Sequence, residues 1–108
     1  MENQSPFLAM QRAETHLKGL IRSIDTDLLE PNEKKAVASL RRLSGDARLD
    51  IRDYELSETR AEQLKKAHDA QKGLKKLQGA VLSVGTVLSP ADVAQLDAQF
   101  EYIHSRIV

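Results

Sequence analysis

The chain is expected to fold as an all-α bundle of three to four antiparallel helices, and three observations predict this. Each of its three prolines stands where a helix should begin: Pro6 after Ser5, Pro31 after Glu30 and Pro90 after Ser89. Between these openings apolar residues recur every three or four positions, the period of a helix with one buried face. Charged residues make up 30% of the chain, a fraction suited to helices with solvated outer faces. Proline is at ease in the first helical turn, where its missing N–H would be unpaired anyway. Helix is therefore expected over more than about 70% of the residues.

The first helix is expected over about 6–29. Phe7, Met10, Ala13, Leu17, Leu20, Ile24 and Leu28 form a single apolar stripe. Ser5 is its expected cap, and Glu14 and Lys18 read as an exposed i,i+4 pair. Glu30-Pro31 stops it, since the residue before proline avoids the α region. The second helix is expected over about 31–44, with Val37, Leu40 and Leu43 facing inward beside Ala36 and with Arg41 and Arg42 in its last turn. Ser44-Gly45-Asp46 reads as its stop, with glycine taking a left-handed cap.

From 46 to 84 two readings compete. Ala47, Ile51, Tyr54, Ala61, Leu64, Leu74, Leu77, Val81 and Val84 fit one long helical seam, weakened where it passes Glu58, His68 and Gln71. The other reading breaks the helix near 56–57 with Ser57 as cap, giving members of more equal length. No glycine or proline marks such a break, so the long helix is preferred. The tract 80–88 is apolar, β-branched and uncharged. Its helix propensity is low, and the helix is expected to end by Gly85. Burial must hold this tract, in the chain's own core or, as a second reading, against a partner through Val81, Val84, Val87 and Leu88. The last helix, about 90–106, is the cleanest, with Val93, Leu96, Phe100, Ile103 and Ile107 on one face. Ser89 caps it and Asp92 suits its positive end.

A single domain of 108 residues can bury roughly two-thirds of its surface. Its core must be aliphatic, because only Phe7, Tyr54, Phe100 and Tyr102 are aromatic. Lys+Arg and Asp+Glu are equal at 16 each, so no global field draws in nucleic acid or an anionic membrane. Without cysteine there is no disulfide scaffold, cysteine-ligated metal or thiol catalysis, and the composition suits the cytoplasm. Met-Glu-Asn-Gln-Ser does not open like a signal peptide, and no stretch approaches the roughly 18 apolar residues of a membrane span.

Three constellations bear on function. His16-Leu17-Lys18-Gly19 resembles the histidine phosphotransfer signature, whose family is also a four-helix bundle of about this length. In that signature lysine and glycine follow the phosphorylated histidine by three and four positions. Here each comes one place early, and Lys18 falls on roughly the opposite side of the helix from His16. Glu101-Tyr102-Ile103-His104 matches half of the Glu-x-x-His pattern of carboxylate di-iron bundles. Neither His16 nor His68 has an acid three positions before it, so no second half is present. Lys65, Lys66, Lys72, Lys75 and Lys76 form a locally basic segment with no interleaved aromatic to stack on bases.

No serine–histidine–acid arrangement, phosphate-cradling glycine loop or metalloprotease pair is present. The sequence therefore points to a non-enzymatic bundle with no cofactor or metal, a protein–protein interaction or regulatory adaptor module in the cytoplasm. Its expected partner is another protein or a second copy of itself. A homodimer is expected because the seam from Ala47 to Leu77 is thin in large side chains. Two alternatives are a nucleic-acid-associated regulator using Lys65, Lys66, Lys72, Lys75 and Lys76, and a phosphotransfer-like carrier using His16.

Overall fold

A computed structural model describes residues 5–107. Helical segments cover 83% of them, with no strand among the described residues. The order is α1 (Pro6–Arg22), a 3₁₀ turn (Thr26–Leu28), α2 (Pro31–Glu55), α3 (Arg60–Ser83) and α4 (Pro90–Arg106). Each helix packs on the one before it, and α4 closes back on α1. The alternation of direction is fixed at both ends. The Phe7 N–H at the start of α1 donates to Glu55 at the end of α2. At the opposite end, Thr86, between α3 and α4, reaches Glu33 in the first turn of α2. The result is an up-down-up-down bundle with extents of 48, 30 and 17 Å along its principal axes.

Local chemistry sets the helix starts as the sequence implies. Ser5 and Ser89 accept from the N–H groups of Leu8 and Asp92 respectively. The Glu33 carboxylate accepts from the Glu30 N–H, closing the first turn behind Pro31.

Three boundaries differ from expectation. Helix α1 stops at Arg22, not near 29, because Ser23 turns its hydroxyl back to the Leu20 carbonyl (2.6 Å). Asp25 then accepts from the Asp27 N–H to shape the 3₁₀ turn. Leu28 consequently leaves the apolar stripe and is 81% exposed.

The expected stop at Ser44-Gly45-Asp46 does not operate, and α2 runs through it to Glu55. No glycine among the described residues has a positive φ, so Gly45 does not form a left-handed cap. Ser44 faces the core, and burial of Ala47, Ile51 and Tyr54 rewards continuation of the helix.

The long helix over 46–84 is also corrected: the chain breaks at 56–59 and gives two helices of 25 and 24 residues. Thr59, not Ser57, is the cap, accepting from the Glu62 N–H at 3.1 Å. Ser57 instead donates to the Asp53 carbonyl, closing the end of α2. The two helices approach closely at Gly73, where an added Cβ would lie 3.8 Å from the Ala47 Cα.

The core is aliphatic around two buried aromatic rings, Phe100 and Tyr54. Met10, Leu40, Ile51, Leu74, Leu77, Leu96, Phe100 and Ile103 are fully buried. Val81, Val84 and Leu88 join them, so the 80–88 tract supplies the chain's own core, with Val87 half-buried and Leu82 exposed. Leu64, expected in the seam, is half exposed.

Candidate interaction site

At the end of the bundle where α1 gives way to the 3₁₀ turn and α3 gives way to α4, two connections and two helix starts meet around a groove of about 490 Å³. Its apolar walls come from Leu20, Ile24, Leu28, Leu29 and Val87. Leu28 is largely exposed, whereas Leu20, Ile24, Leu29 and Val87 are partly buried and pack against the core, and Ser23, Asp25, Glu33, Thr86, Ser89 and Asp92 make the rest of the lining polar. Leu88 closes the floor. The groove exists because α1 ends early: a helix continued to residue 29 would have carried Ile24 and Leu28 along the bundle instead of across its end.

The polar lining of this groove is one-signed. Asp25, Glu33 and Asp92 line it, and no lysine or arginine does. Glu33 is held in place from two sides, accepting from the Glu30 N–H (2.9 Å) and from the Thr86 hydroxyl (2.9 Å). Those two bonds, the backbone one first, hold its carboxyl below the usual range, so it is charged at neutral pH. Asp92 sits in the first turn of α4 beside the Ser89 cap, where the dipole also favours an anion.

The tract proposed from sequence as a partner surface does not form one face. Val81 and Val84 point into the core, whereas Val87 and the buried Leu88 line the groove. Of the seam for which a second copy was expected, Ala47, Ile51, Tyr54, Leu74 and Leu77 are buried within the chain, and Ala61 and Leu64 are exposed.

The five lysines are also dispersed. Lys72 and Lys76 line a cleft between α2 and α3 together with Asp46, Asp50 and Asp69. Lys66 acts on Asp50, whose carboxyl is raised above its usual range by burial and by the nearby Asp69, Asp46 and Asp53. Lys75 instead faces His104, where it adds to the burial that lowers the imidazole, against Glu101. Lys65 is exposed. Carboxylates thus interrupt the basic segment.

His16 is half-buried, its Nδ1 donating to Gln99 Oε1 of α4 at 3.0 Å. Lys18 lies in a different cleft, between α1 and α2. The structure does not bring them together. Glu101 accepts from the Gln78 amide, which also reaches Asp97. Among the described residues no three histidine, aspartate or glutamate side chains gather as metal ligands. No helix among them is long and apolar enough to cross a membrane.

Val87 and Leu88 were named from sequence, but Leu20, Ile24, Leu28 and Leu29 were missed as groove residues because they were placed in the first helix or at its end. The signal that could have found them is Ser23 followed by Asp25 and Asp27, a turn-forming cluster inside the supposed helix. No family model matches the chain, and no curated protein or solved structure matches it significantly.

Proposed function

We propose that this protein is a non-enzymatic interaction module that binds another protein through the groove formed by Leu20, Ile24, Leu28, Leu29 and Val87. The single observation that supports this reading is a groove in which the exposed Leu28 stands beside the partly buried Leu20, Ile24, Leu29 and Val87 and whose charged lining, Asp25, Glu33 and Asp92, is entirely acidic. Charge complementarity selects the occupant: a partner segment with apolar side chains flanked by lysine or arginine. The apolar contacts supply affinity, and the carboxylates steer and orient. Our reading puts the protein in the cytoplasm, a compartment that a cysteine-free chain suits.

The experiment is site-specific photo-crosslinking from position 28 in the native host, followed by binding of the purified adduct protein to the purified chain. A binary complex lost on Leu28→Asp supports the reading. If the purified pair does not bind, or binds Leu28→Asp equally well, the groove is not the interaction surface.

A further inference from the structure

A second cleft, of about 260 Å³, opens between α1 and α2 on another side of α1, and its chemistry is opposite to that of the groove. Helical spacing builds it. Lys18 and Arg22 are one turn apart on α1, and Arg41 and Ser44 are one turn apart on α2. Glu14 lies at the bottom and is buried, as is Ser44. A carboxylate inside a helix–helix seam must be compensated, and here it is compensated from within. Its Oε2 accepts from the Ser44 hydroxyl at 3.1 Å. Its Oε1 lies 3.6 Å from Arg48 Nε, a buried nitrogen with no hydrogen bond.

Glu14 is therefore spent on Arg48 and Ser44. The three cations above it are not: among the described residues, Lys18, Arg22 and Arg41 have no carboxylate partner. Three like charges lining one partly enclosed space repel each other, and a bound anion relieves that repulsion. Two guanidinium forks and an ammonium match the oxygens and the charge of a phosphate dianion better than those of a monovalent carboxylate. The volume is slightly below the usual range for drug-sized ligands, which leaves room for a small molecule and not an extended chain.

We propose that the α1–α2 cleft binds a small phosphate monoester, its dianion seated between Lys18, Arg22 and Arg41. The ester's organic part lies toward the mouth, because Leu17 and Ile21 are already buried and Glu14 occupies the floor. The site is separate from the acidic groove and does not depend on the function proposed for it.

Nuclear magnetic resonance titration with glycerol 3-phosphate, against sodium chloride at matched ionic strength, tests this. The expected result is saturable shifts confined to amides around the cleft that chloride does not reproduce. The Arg22→Gln/Arg41→Gln double variant should weaken binding about tenfold or more, the effect of losing charge-assisted hydrogen bonds. Lys65→Gln, on α3, should leave it unchanged. Both arginines are exposed, so the double variant should melt like the parent; Lys18→Gln alone supplies the same test if it does not. Shifts scattered over all surface cations, equal shifts with chloride, or unchanged affinity in the cleft variants would overturn the proposal. So would a duplex oligonucleotide that binds more tightly and is lost in the same variants, since that result assigns the cleft to nucleic acid.

Discussion

Ser44 donates its hydroxyl to Glu14 Oε2 at 3.1 Å, joining α1 to α2 across 30 residues of chain. This bond, with Arg48 on the other carboxylate oxygen, fixes how α1 sits on α2. An apolar seam accepts several registers, whereas a buried carboxylate accepts the one that satisfies it. Replacing Glu14 with alanine should therefore cost about 2 kcal/mol, discounted because Arg48 is partly exposed and can rehydrate. Glu14→Gln, which keeps an acceptor for Ser44, should cost less. Urea denaturation of the two variants checks the order.

Phe100 is fully buried on α4 and faces the aliphatic core. Phe100→Ala should destabilise the domain by about 3–5 kcal/mol, combining lost transfer energy with the cavity left behind. The denaturant midpoint reads this directly, and an unchanged midpoint would mean that α4 is not packed.

Val84 is 1% exposed at the end of α3. Val84→Asp places an unpaired charge among Val81, Leu88 and their neighbours and should abolish the folded state. Loss of the helical circular dichroism signal or of cooperative melting is the expected outcome.

Much of this architecture was legible in the sequence because the decisive signals were local. Ser5, Ser89 and Pro31 open helices by side-chain and ring chemistry that needs no tertiary partner. The apolar period likewise identified Leu96, Phe100 and Ile103 as core. The misread points are those where packing decides. Gly45 looked like a helix end, but burial of Ser44 and Ala47 carries α2 past it. Thr59-Arg60-Ala61-Glu62 carries a start signal, but the break was considered only at Ser57 and set aside for want of a glycine or proline. The groove could not be read, since its walls come from segments far apart in sequence that meet only when α1 ends early. Glu14 was taken for a surface residue because its burial depends on the unforeseen length of α2.

Two glycines should respond differently to alanine. Gly79 is in the exposed part of α3 with open space around a new Cβ. Gly79→Ala should raise stability by about 0.5–1 kcal/mol through helix propensity. At Gly73 the added methyl would come 3.2 Å from Asp50 Oδ2 in the α2–α3 interface. Gly73→Ala should gain less, because Asp50 must move. Thermal melts of the two variants compare them.

Asp50 and Glu33 should contribute to the pH dependence of stability with opposite signs. Burial and neighbouring carboxylates raise the folded-state pKa of Asp50. The folded state therefore holds its proton more tightly, and Asp50 costs stability as pH rises from its ordinary range through the raised value. Asp50→Asn should stabilise the protein at neutral pH, with the gain vanishing below the ordinary aspartate range. The folded-state pKa of Glu33 is lowered by the Glu30 N–H and Thr86. Its contribution is present above the ordinary glutamate range and is lost as pH falls through the lowered value. Glu33→Gln should destabilise at neutral pH and become silent in acid. Denaturation midpoints across the acid range separate the two.

Leu28 and Leu64 provide the most direct test of the central claim, that the acid-lined groove is the interaction surface. Both are exposed leucines, at 81% and 50%, one in the groove and one on α3 outside it. Replacing either with aspartate should change stability little, because neither is packed in the core. The measurement is the affinity of each variant for the purified protein captured by crosslinking from position 28. The account predicts that Leu28→Asp abolishes binding while Leu64→Asp leaves it at the parent's affinity. Equal binding by both variants, or loss only in Leu64→Asp, would contradict it.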